Sequence, residues 1–394
     1  MNKKCVVVGV SGGIAVYKAL DVISKLKKKD IDVHVIMTKS AEEFVTPLSF
    51  QSLSQNMVIT DMFAEPKAWE IQHISLAQKA DLILIVPATA NIIGKIANGI
   101  ADDMLSTTIM ATKSPVIFCP AMNTNMYENP IVQSNISKLI SYGYNFIEPA
   151  SGRLACGDIG KGKLQDTDVI VDCVLQKLND KKDLVGKKVL ITAGPTIVPI
   201  DPVRYLTNKS SGKMGYAIAE EARDRGADVT LITGPTNLKM PYGVKVISIT
   251  TNNEMHEAVL KEFEEAHIVI KSAAVADYKS KKYSNEKIKK SNGELSLALE
   301  RDIDILKALG QRKKEQILIG FAAESSNLLD NAKEKLVRKN LDFIVANDIT
   351  SHDTGFASNE NKVVIIDKQG KFNHLEKMSK REVAKNIFDM IKGR

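Results

Sequence analysis

Three side chains in the first half of the sequence have types suited to chemistry and sit outside any apolar run. His73 opens a short helical stretch, Ile71-Gln72-His73-Ile74-Ser75. Asn123 lies in Pro120-Ala121-Met122-Asn123-Thr124-Asn125-Met126, just past a buried strand. Cys156 lies in Ser151-Gly152-Arg153-Leu154-Ala155-Cys156-Gly157-Asp158, where glycines at 152, 157, 160 and 162 read as a mobile flap. An imidazole of ordinary pKa suits a general base near neutrality. Upstream, Gly9-Val10-Ser11-Gly12-Gly13-Ile14-Ala15 joins a strand to a helix. Its glycines admit a ligand close to the backbone, and the helix start offers N–H groups to a phosphate. The spacing is not GxGxxG, and no acidic residue follows the second strand at the ribose position. That strand ends instead in Met37-Thr38-Lys39-Ser40, two hydroxyls and a cation suited to a terminal phosphate. A mononucleotide such as FMN is therefore favoured over NAD.

The second half carries a different set. Its leading strand ends in Thr192-Ala193-Gly194-Pro195-Thr196, followed by a segment running from Asp201 through Arg204 and Asn208 to Ser210-Ser211-Gly212-Lys213-Met214-Gly215. The last stretch is not a P-loop, because no Ser or Thr follows Lys213. Gly212 and Gly215 still open a helix whose start can receive phosphate. Further along come Ser272-Ala273-Ala274-Val275-Ala276-Asp277-Tyr278, Lys287-Ile288-Lys289-Lys290, Gly320-Phe321-Ala322-Ala323-Glu324, and Lys335 with Lys339 four residues apart on one helix face.

Two sheets are needed to position these residues. In the first half, apolar strands at 5–10, 33–37, 81–87, 116–119 and 144–147 alternate with helices that include 14–28, 74–79, 104–112 and 131–142. Continuous apolar strands separated by helices imply a parallel sheet covered on both faces. The pattern restarts after the polar run Asn179-Asp180-Lys181-Lys182-Asp183. Strands are expected at 187–192, 229–233, 244–249, 267–271, 317–321, 343–346 and 363–367, and helices at 213–225, 255–265, 327–338 and 381–392. The architecture is two doubly wound α/β domains, 1–182 and 186–394, each with its ligand at the carboxyl ends of its strands.

Composition is consistent with this. The chain has 394 residues, 44% hydrophobic and 26% charged, enough for two ordinary cores. Cys5, Cys119, Cys156 and Cys173 are too sparse for a disulfide framework and show no CxxC spacing. The apolar run at the amino terminus is too short for a signal peptide, and no stretch approaches a membrane span, so a reduced, cytoplasmic enzyme is expected. Residues 1–180 hold 17 Lys+Arg against 18 Asp+Glu, so of the net +7 the remainder carries +8. A basic second half suggests a polyanionic ligand such as nucleotide or nucleic acid.

The GxSGGIA turn, the His, the PxMN segment and the ACGD flap occur in the order found in flavin-containing cysteine decarboxylases, and the first half resembles phosphopantothenoylcysteine decarboxylase. The resemblance implies a flavodoxin-like domain with FMN held by Ser11, Gly12, Gly13, Thr38, Ser40 and Ser106. It makes His73 the base that starts oxidation of the substrate thiol to a thioaldehyde, the electron sink for loss of CO2. Asn123 then holds the substrate carboxylate, Met122 contacts substrate, Arg153 assists from the flap, and Cys156 protonates the ene-thiolate. Tyr127 stands where the family commonly has Trp.

Over nearly all of 186–394 the sequence resembles phosphopantothenate–cysteine ligase, implying a Rossmann-like domain and a bifunctional enzyme of coenzyme A biosynthesis. By that resemblance CTP activates the phosphopantothenate carboxylate as an acyl-cytidylate, and the cysteine amine displaces CMP. Lys271, Ser272, Ala273, Asp277, Lys287, Ile303, Asp304, Ile305, Leu306, Phe321, Lys335 and Lys339 bind the nucleotide. Asp277 also contacts Mg2+, Arg204 and Asn208 hold the acyl substrate and intermediate, and Asn208 and Lys287 act in catalysis. The family's Thr-Pro-Asp-Ile-Leu helix start reads Asp302-Ile303-Asp304-Ile305-Leu306 here. The resemblance further implies small-molecule partners only, with no nucleic acid and no membrane. It implies a homo-oligomer in which decarboxylase trimers and ligase dimers build a dodecamer. The alternatives are an NAD(P)-dependent oxidoreductase with two Rossmann domains and a flavin- or nucleotide-sensing binding protein. The second of these needs neither His73 nor a cysteine in a glycine flap.

Overall fold

A computed structural model describes residues 3–63, 71–289, 295–324, 328–348 and 358–392. Lys290 and the first residue of the helix expected at 327–338 lie outside the described residues. The chain divides into two compact units, Met1–Asp180 and Lys181–Arg394.

The first unit runs β1 (Cys5–Val10), α1 (Val16–Lys28), β2 (Asp32–Met37), α2 (Lys39–Glu42), α3 (Pro47–Ser54), β3 (Val58–Ile59), α4 (Gln72–Lys79), β4 (Leu82–Ala88), α5 (Ala90–Ala97), α6 (Met104–Ala111), β5 (Val116–Pro120), α7 (Thr124–Glu128), α8 (Pro130–Ser141), β6 (Asn145–Phe146), β7 (Ala150–Arg153), β8 (Ile159–Lys163) and α9 (Thr167–Leu178). Strands β1, β4 and β5 are buried at every position, as a sheet covered on both faces requires. All its pairings are parallel, in the order β3-β2-β1-β4-β5-β6. The five strands other than the two-residue edge strand β3 follow the flavodoxin-like order. Helix α1 buries Val16, Ala19, Val22, Ile23 and Leu26, an apolar stripe at helical spacing, against one face of the sheet together with α9. Residues of α4, α5, α6 and α8 pack on the other. The β7–β8 pair is a separate antiparallel hairpin.

The second unit contains β9 (Lys188–Ala193), β10 (Ile197–Pro199), β11 (Tyr205–Thr207), α10 (Lys213–Asp224), β12 (Asp228–Thr233), β13 (Lys245–Ser248), α11 (Asn252–Phe263), β14 (Ile268–Lys271), β15 (Tyr278–Ser280), β16 (Leu299–Arg301), α12 (Ile305–Arg312), β17 (Ile317–Glu324), α13 (Leu328–Arg338), β18 (Phe343–Asp348), β19 (Glu360–Asp367), β20 (Phe372–Ser379) and α14 (Lys380–Lys392). Its eight-stranded sheet has the order β13-β12-β9-β14-β17-β18-β19-β20. The first six strands are parallel, in the Rossmann order 3-2-1-4-5-6, and β19 and β20 continue antiparallel. The sequence expectation ended at 363–367 and missed β20. That strand reads Phe-Asn-His-Leu-Glu-Lys-Met-Ser, mostly polar as suits the sheet's edge. It also missed the two-stranded ribbons β10–β11 and β15–β16, whose strands are three residues long.

A buried ion-pair cluster secures the start of this unit. Arg225, with no exposed surface, pairs with Asp183 at 2.5 Å and Asp389 at 2.7 Å and lies over the Phe388 ring. Its own charge is thereby matched by carboxylates from the entering segment and α14.

Candidate functional site

At the carboxyl ends of β1, β2, β4 and β5 the first unit holds a cavity of about 1280 Å³. Ser11, Gly12, Gly13, Thr38, Ser40 and Met122, which the resemblance assigned to flavin or substrate, are among the residues that line it. Gly12 is required by close approach: a Cβ there would lie 2.5 Å from the backbone oxygen of Ser40, so the first turn and the loop after β2 touch only because it is glycine. The α1 N-cap, Ala15, provides no side-chain cap, and α1 has no acidic residue in its first turn. Beside it the Thr38 hydroxyl is buried without a hydrogen-bond partner. An uncapped helix start, an orphaned hydroxyl and a glycine cradle fit a phosphomonoester and its attached ring. Ser11 is oriented differently, with its hydroxyl bonded to Pro87 O at 2.8 Å and accepting from Thr89 N at 3.0 Å.

The flap brings two of the three chemical residues together. Asn123 caps α7, its Oδ1 accepting from Asn125 N at 2.8 Å, and its Nδ2 donates to Cys156 Sγ at 3.3 Å and to Asp158 Oδ2 at 2.9 Å. Cys156 in turn donates to Asp158 Oδ2 at 3.3 Å. Asp158 was not singled out by sequence reasoning. The signal was its place two residues after the cysteine, on the return strand's side of the turn. The glycines explain how the hairpin reaches this position. Gly162 has φ +150, and a Cβ on it would lie 2.3 Å from Met122 O, while Met122 N donates to Gly162 O. Cys156 is exposed, whereas Cys5, Cys119 and Cys173 are buried. Burial pushes the Cys5 thiol up to about 11 and the Cys119 thiol well above its usual value, so neither is reactive. Arg153 lines the cavity from the flap. Tyr127 is buried in the α4–α8 face and lies under Lys161, so an aromatic ring keeps its packing role there.

Two expected residues are not part of this cavity's lining. His73 is the second residue of α4, half-buried, and is not among the residues that line the cavity. Ser106 is fully buried at the third position of α6. There it accepts from Asp103 N and its own N–H is capped by Asp103 Oδ1 at 2.8 Å. The D-x-x-S spacing is a capping box, and it engages this serine internally. Among the described residues, Cys5, Asp32 and His34 are close enough for a shared metal, but they lie at the opposite ends of β1 and β2. The Lys79 ammonium is already there, 2.6 Å from His34 Nε2 and 2.9 Å from Asp32.

In the second unit most expected residues gather at the carboxyl end of the sheet. Lys271 ends β14, and Ala273 N donates to Thr192 Oγ1 at 3.1 Å, which fixes the Lys271-Ser272-Ala273 turn. Asn208 Nδ2 donates to Ala274 O at 3.1 Å and Val275 O at 3.2 Å, tying the 208 loop to the segment that presents the exposed Asp277. Asp277 carries no ion pair among the described residues. Asp304 caps α12 through Lys307 N at 3.0 Å and pairs with Lys339 at 2.9 Å. The cap forms without the family's proline. Burial opposes the Asp304 charge, but Lys339 and the Lys307 amide outweigh it and hold the carboxyl below its usual range. Lys335 lies one turn before Lys339, half-buried.

Other members of the set are placed differently. The Ile305 side chain is core and Leu306 packs against it, so this helix start offers a ligand its backbone and Asp304. Ile303 is exposed, and its carbonyl accepts from Asn252 Nδ2 at 3.0 Å. Phe321 packs on the sheet face opposite the one holding Met255 and Ile305. Lys287 is exposed on its loop. Arg204 is engaged by Asp201 through Nε at 2.9 Å and Nη2 at 2.6 Å, and it donates to Ile288 O at 2.7 Å. Asp201, with no exposed side-chain surface, also accepts from the Val203, Arg204 and Ile288 amides. These bonds, Arg204 foremost, hold its carboxyl well below the usual range. Asp201 is the organiser that sequence reasoning missed. Its signal was the Asp-Pro-Val-Arg spacing, which lets one carboxylate accept from the turn and from the arginine it positions.

Residues 1–179 match the family model described as Flavoprotein, and residues 184–393 match the DNA/pantothenate metabolism flavoprotein C-terminal domain. The chain is similar to the coenzyme A biosynthesis bifunctional protein CoaBC of Bacillus subtilis (strain 168), 50% identical over 394 residues covering 99% of this chain and 97% of that one. It is also similar to the protein of the same name from Borreliella burgdorferi, 47% identical over 393 residues and 99% of both chains. A crystal structure of the C-terminal domain of a coenzyme A biosynthesis bifunctional protein CoaBC is 44% identical, with TM-score 0.47, covering 53% of this chain and 96% of that one.

Proposed function

The chain belongs to the coenzyme A biosynthesis bifunctional protein family, and on that premise we propose that it performs two consecutive steps. The unit from 186 onward joins cysteine to 4′-phosphopantothenate with CTP and Mg2+. The unit ending at 182 then decarboxylates 4′-phosphopantothenoylcysteine to 4′-phosphopantetheine with FMN. The observation that carries this reading is the meeting of Asn123, Cys156 and Asp158 at a cavity whose far side is an uncapped helix start with an orphaned Thr38 hydroxyl.

Gly12, Gly13, Thr38 and Ser40 would hold FMN, which when bound supplies the two-electron acceptor and donor that cysteine decarboxylation requires. Asn123 binds the substrate carboxylate through its amide, already directed at the flap. His73 takes the thiol proton. Cys156, held beside Asp158, returns a proton to carbon after CO2 departs. The position of His73 outside its own chain's cavity supports a site completed by a second copy. A homo-oligomer of decarboxylase trimers and ligase dimers, in total a dodecamer, supplies that contact.

In the ligase unit the lysines neutralise the triphosphate while the carboxylate of phosphopantothenate attacks the α-phosphorus, a step governed by positioning and charge. Lys287, Lys335 and Lys339 provide cations, and Ser272 and Ala273 provide backbone contacts. Arg204, fixed by Asp201, and Asn208 orient the acyl substrate. Asp277 is one exposed carboxylate, which suits Mg2+, an ion that completes its shell with phosphates and water. We take the enzyme to be cytoplasmic; no helix among the described residues is long and apolar enough to cross a membrane.

The purified protein is expected to be yellow with an FMN spectrum. Given CTP, Mg2+, cysteine and 4′-phosphopantothenate, it should release CO2 and 4′-phosphopantetheine, identified by mass. Colourless protein that does not take up FMN would remove the decarboxylase assignment.

A further inference from the structure

The amide of Asn123 has no hydrogen left to give. Its Oδ1 accepts from Asn125 N at 2.8 Å as the cap of α7, which fixes the orientation of the amide and turns its NH2 group to the flap. That group has two hydrogens. One is directed at Cys156 Sγ at 3.3 Å and the other at Asp158 Oδ2 at 2.9 Å. Cys156 closes the triangle by donating to the same Asp158 oxygen at 3.3 Å.

A substrate carboxylate held by Asn123 needs one of these hydrogens. Asp158 already presents a carboxylate to the amide, and a second one beside it would bring like charges together. The Asp158 side chain can give way without disturbing the flap. The residue is exposed, and Lys161, three positions on, pairs with Glu148 at 2.7 Å instead. The turn that carries it is closed by the backbone: Leu154 N donates to Asp158 O at 2.8 Å and Gly157 N donates to Leu154 O at 3.0 Å. Rotation about the side-chain bonds of Asp158 therefore moves its carboxylate into solvent and leaves the hairpin as it is.

We propose that Asp158 stands in for the substrate's carboxylate: it occupies the Asn123 amide until a carboxylate-bearing ligand displaces it, and the displacement also removes the acceptor of the Cys156 thiol. The inference rests on the decarboxylase reading of this unit. No covalent bond changes in the exchange. One hydrogen bond from Asn123 Nδ2 passes from Asp158 to the ligand, and the Cys156 proton is released for the carbon from which CO2 departs. Asp158 is thus a positioning residue that acts through Asn123 and Cys156. A ligand without the carboxylate has nothing to put in place of Asp158, so substrate binding carries a cost that product binding does not.

The test is titration calorimetry of the full-length protein loaded with FMN, using two ligands that differ only in a carboxylate. These are 4′-phosphopantothenoylserine and 4′-phosphopantothenoylethanolamine, in both of which a hydroxyl replaces the reacting thiol. Asp158→Ala is expected to bind the serine compound about tenfold more tightly than wild type, the worth of one hydrogen bond to a charged group, and the ethanolamine compound equally well. Asp158→Asn keeps an acceptor without the charge and should fall between. Damage to the flap would weaken binding, and removal of a negative charge would act equally on the phosphate that both ligands share. Equal shifts for the two ligands, or no gain for the serine compound, would therefore overturn the proposal. Should Asp158→Ala fail to fold, the same comparison on Asp158→Asn decides. If the wild type fails to decarboxylate 4′-phosphopantothenoylcysteine, the decarboxylase reading falls and the stand-in with it, a result distinct from equal shifts in an active enzyme.

Discussion

In the first unit, the loops after β1, β2, β4 and β5 close over a cavity of about 1280 Å³, and their approach depends on missing side chains: Gly12 against Ser40, Gly162 against Met122. In the second unit, the carboxyl end of a sheet with the same central crossover is governed by charge: Asp201 on Arg204, Asp304 on Lys339, and a buried Lys271 that carries no ion pair among the described residues and donates to the Met255 thioether. On the proposed function the first arrangement would enclose the large, mostly uncharged ring of a flavin by shape, and the second would receive a triphosphate on its cations. A shared topology has thus been fitted to two ligands by opposite means.

The sharpest break between the regions is expected from a reciprocal pair. His73→Asn should lower CO2 release by roughly 10² to 10⁴-fold, the usual contribution of a positioned base, and leave CTP-dependent ligation unchanged. Lys287→Gln should do the reverse, with the flavin absorbance intact. Loss of both activities in either variant would show that the sites are not separable.

Stability can be divided in the same way. Arg225→Ala removes a fully buried guanidinium and its pairs with Asp183 and Asp389, of which the half-exposed Asp389 keeps Lys181, and breaking this cluster costs about 3–5 kcal/mol. Ligase activity should be lost at a lower temperature while flavin fluorescence of the first unit reports no change. A smaller effect, about tenfold on CO2 release, is expected for Gly162→Ala, because the added Cβ meets Met122 O and φ +150 disfavours it. The flavin should remain bound, since the flap moves and the cradle does not.

Much of this was legible from sequence for physical reasons. The buried strands are continuous apolar runs, and turns that forbid a Cβ must be glycine, so β1, β4, β5 and the 9–15 turn could be located directly. Asn123 and Cys156 are 33 residues apart in sequence, yet the flap glycines already implied a loop that could close. What could not be read depended on pairing in space. Ser106, which the resemblance assigned to the flavin, is engaged with Asp103 in a capping box, a pairing that residue type alone does not reveal. Asp158 and Asp201 matter through the partners they hold. Lys271 would be assigned to the surface by residue type, and only the sheet register shows it to be buried.

That buried lysine separates the units by pH. Its folded value near 7 lies below the unfolded 10.5, so between those values the unfolded chain binds a proton that the folded chain does not. The second unit should therefore gain stability as pH rises from 7 toward 10, and below 7 it bears the full penalty. Lys271→Met should raise Tm more at pH 6 than at pH 9, whereas the first unit should be unaffected by the substitution.

The central claim, one chain with two successive chemistries at two sites, is tested most directly by following products by mass. The wild-type protein is mixed with 4′-phosphopantothenate, cysteine, CTP and Mg2+, and a parallel sample receives 4′-phosphopantothenoylcysteine without CTP. The account predicts 4′-phosphopantetheine in both, with CMP and pyrophosphate only in the first. Failure of the second sample to lose CO2, or decarboxylation that requires CTP, would contradict it.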